Sequence, residues 1–231
     1  MENCAVLFSG GIDSTTALYW ALREFESAHA LTFDYGQRHG IEVAMARRAA
    51  AALHVPQTIF RVDLTQAGGS ALTDKRIRLP RYRTREQIGS GPPATYVPFR
   101  NGIFLALAAA WSEVRGIRRI VCGFNVIDSP DYPDTRPHFV RAMERAINVG
   151  SKAAFGGEKI KVLAPLIRLK KSEIIRLGLS LGADYSRSVS CYAGREKPCG
   201  RCSACLLRRR AFAEAGVEDP LILRLKKRKT R

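Results

Sequence analysis

The chain has 231 residues, 46% of them hydrophobic and 26% charged, with a formal net charge of +17 at pH 7. That length allows one large buried core, and that composition excludes a disordered or fibrous chain. No apolar run approaches the roughly 20 residues of a membrane span, and Met1-Glu2-Asn3-Cys4 has no basic region ahead of a long apolar stretch, so neither a membrane nor a secreted protein is expected and a cytoplasmic one is.

The elements follow in chain order. Residues 4–8, "CAVLF", form a short apolar run that glycines end, which predicts a buried strand. Ala17, Leu18, Ala21, Leu22 and Phe25 then recur at helical spacing. A strand is expected over 29–35, a helix over 40–53 and a strand over 57–63, a β-α-β-α-β order that argues for a parallel sheet. Residues 65–95 break the pattern with glycines, prolines and six basic residues, which suggests a functional loop or a mobile lid. Helices are expected over 101–116, 137–155 and 170–182, with strands over 118–124 and 159–166 between them and a last short helix near 206–216.

The charge is uneven. Residues 1–64 carry 5 basic and 7 acidic groups, whereas residues 186–231 carry 13 and 4 and end in "KKRKTR". Such a tail is commonly a solvated end and fixes no partner by itself. Nucleic-acid binding is therefore expected to be weak and non-specific at most.

The stretch "FSGGIDSTT" leaves the first strand through two glycines and enters a helix rich in hydroxyls. Gly10 and Gly11 let backbone N–H groups converge, the helix adds its positive end, and Ser9, Ser14 and Thr15 add donors. The alternative is a plain helix cap by Asp13 or Ser14. "SGGIDS" is neither a Walker A loop nor G-x-G-x-x-G. It resembles the loop of the ATP pyrophosphatase (PP-loop) families, which implies cleavage of ATP between its α- and β-phosphates, with Asp13 near the magnesium ion that accompanies ATP.

Four of six cysteines, Cys191, Cys199, Cys202 and Cys205, fall within 15 residues. In a reducing compartment this spacing points to a metal site rather than disulfides. Four thiolates suit a closed structural zinc site, with an iron–sulfur cluster as the less favoured alternative. Cys4 and Cys122 lie in apolar runs and read as small core residues.

Three polar segments, "FDYGQRH" (33–39), "YVPFRN" (96–101) and "GFNVIDSPDYPDTRP" (123–137), follow expected strands or precede an apolar helix. Together with the phosphate loop they suggest a pocket at one sheet edge. With "SALT", "APLIRLKKSEIIRLG", "SCYAG" and "PCGRCSACLLRRRAF", the chain resembles the 7-cyano-7-deazaguanine synthase family, QueC, over almost its whole length. Phe99 and Thr135 depart from residues common in that family.

The resemblance implies ATP-dependent conversion of 7-carboxy-7-deazaguanine and ammonia to the nitrile, through an adenylated acid and an amide. Residues and resemblance together predict an α/β Rossmann-like PP-loop domain over residues 1–185, with 65–95 as a possible lid, a zinc segment with a final helix over 186–220, and a basic tail over 221–231, whose last residues lie beyond the resemblance. Ser9, Asp13 and Ser14 are the candidate catalytic residues. Phe8, Ser9, Gly10, Gly11, Ile12, Asp13, Ser14, Thr15, Thr16, Ala17 and Leu18 form the candidate ATP site. Gln37, Arg38, Arg100, Asn101, Asp128, Tyr132, Asp134 and Arg136 are candidate substrate contacts. A homodimer is also implied. Two alternatives stay open: a PP-loop enzyme that modifies tRNA, and a relative that passes the activated acid to another amine.

Overall fold

A strand covered on both faces is apolar at successive positions instead of alternating. In the computed structural model, which describes residues 2–84, 86–127 and 131–228, this holds for β1 (Asn3–Leu7), where Cys4, Ala5, Val6 and Leu7 are all buried. Four further strands lie parallel to it: β2 (Ser27–Asp34), β3 (Gln57–Arg61), β4 (Arg119–Val121) and β5 (Lys161–Leu163). Their order in the sheet is β3-β2-β1-β4-β5. The connection after β1 runs to one side and the return to β4 lies on the other. A crevice therefore opens at the carboxyl ends of β1 and β4, where α/β folds of this order hold ligands.

Helices cover both faces. Residues of β1, β2 and β4 pack on one side against α1 (Ile12–Glu24), α2 (Ile41–Ala52), α6 (Lys171–Ser180) and α7 (Ser203–Ala215). On the other side Leu31, Phe33, Ile120 and Val162 meet α3 (Arg100–Val114) and α4 (Pro137–Gly150). Phe33 stacks on Phe104 of α3 with ring centroids 4.0 Å apart. Cys4 and Cys122 are fully enclosed, and burial pushes both thiols up to about 12.

The helix expected over 137–155 is broken. Ser151 is extended, and its hydroxyl accepts from the Ala154 N–H at 3.3 Å, starting the short α5 (Lys152–Phe155). The stretch expected as a basic tail contains α8 (Pro220–Lys227). Asp219 caps it by accepting from the Leu221 N–H at 3.0 Å, Pro220 fits its first turn, and Leu221 is fully buried. The Arg208 guanidinium binds the Asp219 carboxylate through two nitrogens at 2.6 and 2.8 Å and ties α8 to α7.

Among the described residues, 65–84 and 86–95 form neither helix nor strand, in line with the sequence. The segment is nonetheless anchored. Ser70, Ala71, Leu72 and Thr73 are buried, and Arg38 donates to the carbonyls of Asp74 and Ile77 at 2.5 and 3.0 Å. Further on, the Tyr82 N–H donates to the Arg201 carbonyl at 2.7 Å, which fastens the segment to the cysteine region.

Candidate functional site

The loop after β1 has the geometry of an anion cradle. Gly10 has φ +79°, a left-handed conformation that glycine adopts freely, and a Cβ there would lie 3.1 Å from the Ala46 nitrogen. Gly11 occupies the cap position of α1, and no side chain caps that end. The first-turn N–H groups thus stay available for a ligand, and the plain-cap alternative fails. Ser9 and Ser14 hold the loop in shape: their hydroxyls are 3.1 Å apart, Ser14 donates to the Gly11 carbonyl at 3.1 Å, and the Gly11 N–H donates to Ser9 Oγ at 3.3 Å. Gly123, after β4, presses on this loop. A Cβ there would come within 2.8 Å of the Asp13 carbonyl, so only glycine allows the approach.

Asp13 is not alone. Lys171, the first residue of α6, places its ammonium 2.7 and 2.9 Å from the two carboxylate oxygens of Asp13. The pair sits at the cavity wall, with both side chains about one-fifth exposed. The cavity itself has a volume of about 310 Å³. Phe8, Ser9, Gly11, Ile12, Asp13 and Ser14 line it, as do Gln37, Arg100, Asn101 and Tyr132. Arg100 donates to the Tyr35 hydroxyl at 2.9 Å and lies over its ring at 5.4 Å. Burial acts against the Arg100 cation, but Tyr35, Tyr192 and Glu42 outweigh it and hold its pKa above the ordinary value. Burial likewise pushes the Tyr35 phenol up, against the pull of Arg100.

Other candidates lie elsewhere. Gly10, Thr15, Thr16, Ala17 and Leu18 do not line the cavity. Thr16 is turned into the core, 2.6 Å from the Tyr185 hydroxyl, and Ala17 and Leu18 pack in the same core. Arg38 is occupied in anchoring residues 74–77. Asp134 is buried behind the wall, where its Oδ2 accepts from the Asn101 N–H at 3.0 Å. Arg136 is exposed at the start of α4. Asp128 lies outside the described residues.

Tyr35 and His39 lie in the segment 33–39 that the sequence assigns to the pocket without naming them, whereas Glu42, Thr95, Lys171, Tyr192 and Arg208 are cavity residues that no pocket segment included. His39 and Glu42 form a pair, with Nε2 2.8 Å from the carboxylate. A histidine followed three residues later by a glutamate at a helix start was a readable signal for them. For Lys171 there was none, because 158 residues separate it from Asp13.

The four candidate metal ligands do come together. The sulfur atoms of Cys191, Cys199, Cys202 and Cys205 all lie within 4.8 Å of one another, three of the residues buried and Cys199 exposed. Bonds of about 2.3 Å to a tetrahedral zinc ion would put the sulfurs about 3.8 Å apart. Cys199 and Cys205 are 3.9 Å apart already, so the group could hold a metal ion. Turn N–H groups support the sulfurs: Cys199 N–H donates to Cys191 Sγ at 3.3 Å and Arg201 N–H to Cys199 Sγ at 3.5 Å. The segment is also part of the cavity, since Ser190, Tyr192, Ala204, Leu207 and Arg208 line it.

A parallel 3-2-1-4-5 sheet with an uncapped phosphate loop at its switch point defines a PP-loop type of α/β enzyme. Among solved structures, NMN synthetase from Francisella tularensis shares the fold with a TM-score of 0.50 and 13% identity, over 94% of this chain and 78% of that one. The model of the family described as "Queuosine biosynthesis protein QueC" matches residues 3–216, and the chain belongs to that family of ATP-dependent enzymes. A 7-cyano-7-deazaguanine synthase of Anaeromyxobacter sp. (strain Fw109-5) is 48% identical over 223 residues, 96% of each chain. Its namesake in Thiobacillus denitrificans (strain ATCC 25259 / T1) is 49% identical over 224 residues, 95% of this chain and 98% of the relative. No described helix is long and apolar enough to cross a membrane.

Proposed function

We propose that this chain is a 7-cyano-7-deazaguanine synthase that converts 7-carboxy-7-deazaguanine, ammonia and two molecules of ATP to the nitrile. The observation that carries the reading is a single cavity shared by two kinds of wall. One is the phosphate loop with Asp13 and Lys171; the other is the polar and aromatic set Tyr35, Gln37, Arg100, Asn101, Phe104 and Tyr132. A flat purine-like base suits such rings and amides. Near-full-length identity of 48–49% to synthases of that name supports the substrate.

A carboxylate is a poor electrophile, and joining it to AMP supplies a leaving group. In this reading the α1 N–H groups, Ser9 and Ser14 hold the departing pyrophosphate, and Lys171 balances its charge. Asp13 is placed to ligate the magnesium ion that ATP brings, a role for which its ion pair with Lys171 keeps the carboxylate at the loop. Ammonia then displaces AMP to give the amide. The second ATP activates the amide oxygen, and loss of AMP and protons leaves the nitrile. No covalent enzyme nucleophile is required, so positioning and charge stabilisation carry the catalysis.

The thiolate group fits a closed structural zinc site, with Cys191, Cys199, Cys202 and Cys205 as ligands and no open position for chemistry. The test of the whole reading is incubation of the purified protein with ATP, ammonia and the free carboxy-base without RNA, followed by mass spectrometry. Nitrile with two AMP per product is expected. Product only when tRNA is added would overturn the reading in favour of a tRNA-modifying PP-loop enzyme.

A further inference from the structure

Among the described residues, two carboxylates line the cavity, Asp13 and Glu42. Lys171 occupies the first. Glu42 has no lysine or arginine within ion-pair distance among the described residues; its partner is His39, with Nε2 2.8 Å from Oε2. Nε2 faces this carboxylate oxygen, a contact through which the imidazole holds Glu42 in orientation. His39 is locked in place. Its side chain is 5% exposed, its Nδ1 is buried without a hydrogen-bond partner, and its carbonyl accepts from the Glu42 N–H at 2.9 Å. Glu42 keeps 19% of its side chain exposed, and its other oxygen, Oε1, turns to the phosphate loop, 4.0 Å from where a Cβ on Gly11 would lie. Around the pair stand Tyr35 just after β2, Arg100 from α3 and Tyr192 from the cysteine segment.

The synthase chemistry proposed above, on which this step rests, consumes a nitrogen that is chiefly ammonium at neutral pH, and ammonium has no lone pair with which to attack. We propose that Glu42, oriented by His39, binds that ammonium ion in the cavity and takes its proton. One N–H bond breaks, its electron pair stays on nitrogen as the attacking lone pair, and the proton goes to Glu42 Oε1. The lone pair forms the C–N bond to the acyl carbon. The C–O bond to the adenylate then breaks, and AMP leaves with that electron pair while the adduct's surplus proton passes to water. Glu42 is the catalytic residue here and His39 the positioning residue. Among the described residues that line the cavity, Glu42 is the carboxylate with no lysine or arginine at ion-pair distance, which suits it to a small cation.

Hydroxylamine separates this role from any role in ATP or acid binding, because it is already neutral at pH 7 and needs no base before it attacks. Amide formation from ammonium and hydroxamate formation from hydroxylamine would be measured at pH 7 on the full-length protein. Glu42→Gln is expected to lower the amide rate about 100-fold or more, the usual worth of a general base. Its hydroxamate rate should stay within about threefold of the parent, and its amide rate should recover as rising pH frees ammonia in solution. His39→Asn, which leaves the carboxylate but not its orientation, should raise the KM for ammonium more than it lowers kcat. Equal losses with both nucleophiles, or no loss with either, would overturn the proposal. A parent enzyme that makes neither amide nor hydroxamate would instead remove the synthase reading itself, so the two failures are distinguishable.

Discussion

At the scale of single residues, the phosphate loop combines a cradle built from backbone with a charge pair built from side chains. Replacing Asp13 by Asn keeps the shape but releases Lys171, so AMP formation should fall by at least about 100-fold, with a smaller effect on thermal unfolding because the pair lies at the cavity wall and only partly out of water. Turnover of mutant and parent at equal rates would refute the role of Asp13. Ser9, Gly10, Gly11, Asp13 and Ser14 could be read from sequence because six adjacent residues carry the whole motif. Lys171 could not, since its meaning comes from the packing of α6 on α1, which places it 2.7 Å from Asp13. Thr16 shows the opposite error. A hydroxyl beside a phosphate loop looks like a ligand contact, but helical spacing turns it 2.6 Å from the Tyr185 hydroxyl, inside the core.

Among elements, the contact of α1 with α6 and the 3₁₀ turn at Tyr185–Arg187 fixes that core. A Cβ on Gly178 would sit 1.8 Å from the Tyr185 hydroxyl and 2.9 Å from Thr16 Oγ1. Gly178→Ala should therefore destabilise the fold by about 1–3 kcal/mol, the usual cost of overpacking, although alanine is the better helix former. Chemical denaturation with equal or higher stability would refute this. The cysteine segment gives a second test: one zinc per chain is expected by elemental analysis, and Cys202→Ser should lower the melting temperature together with zinc content. Iron in its place, or active protein without metal, would rule that out. The long segment before α3 supplies a third. With residues 70–73 buried and Arg38 holding 74–77, protease cleavage should concentrate between 78 and 93 and lessen with ATP and the acid bound. Identical cleavage with and without ligands would count against a lid. Strand and helix order was legible because period and length differ between β and α runs. The anchoring of residues 65–95 was not, since Ser70 and Thr73 are buried by contacts that no local pattern announces.

For the whole molecule, the question is what the net charge of +17 does. A polymeric RNA substrate needs a basic track that leads to Ser9 and Asp13, yet residues 1–64 hold more acidic than basic groups. Binding of tRNA should therefore be weak and depend only slightly on sequence, and removal of residues 226–231 should weaken it further. Tight binding with a steep salt slope would refute this. The fold also closes on itself late. The Val189 N–H donates to the Gly10 carbonyl at 3.2 Å, and one wall of the cavity comes from Ser190, Tyr192, Ala204, Leu207 and Arg208. The ribosome makes the phosphate loop within the first fifteen residues and its roof some two hundred residues later. A nascent chain that has completed only its sheet would carry the whole SGGIDS loop and still have no enclosed chamber. The wall that completes the cavity thus arrives only with the last fifth of the polypeptide, and a chain truncated after β5 lacks it.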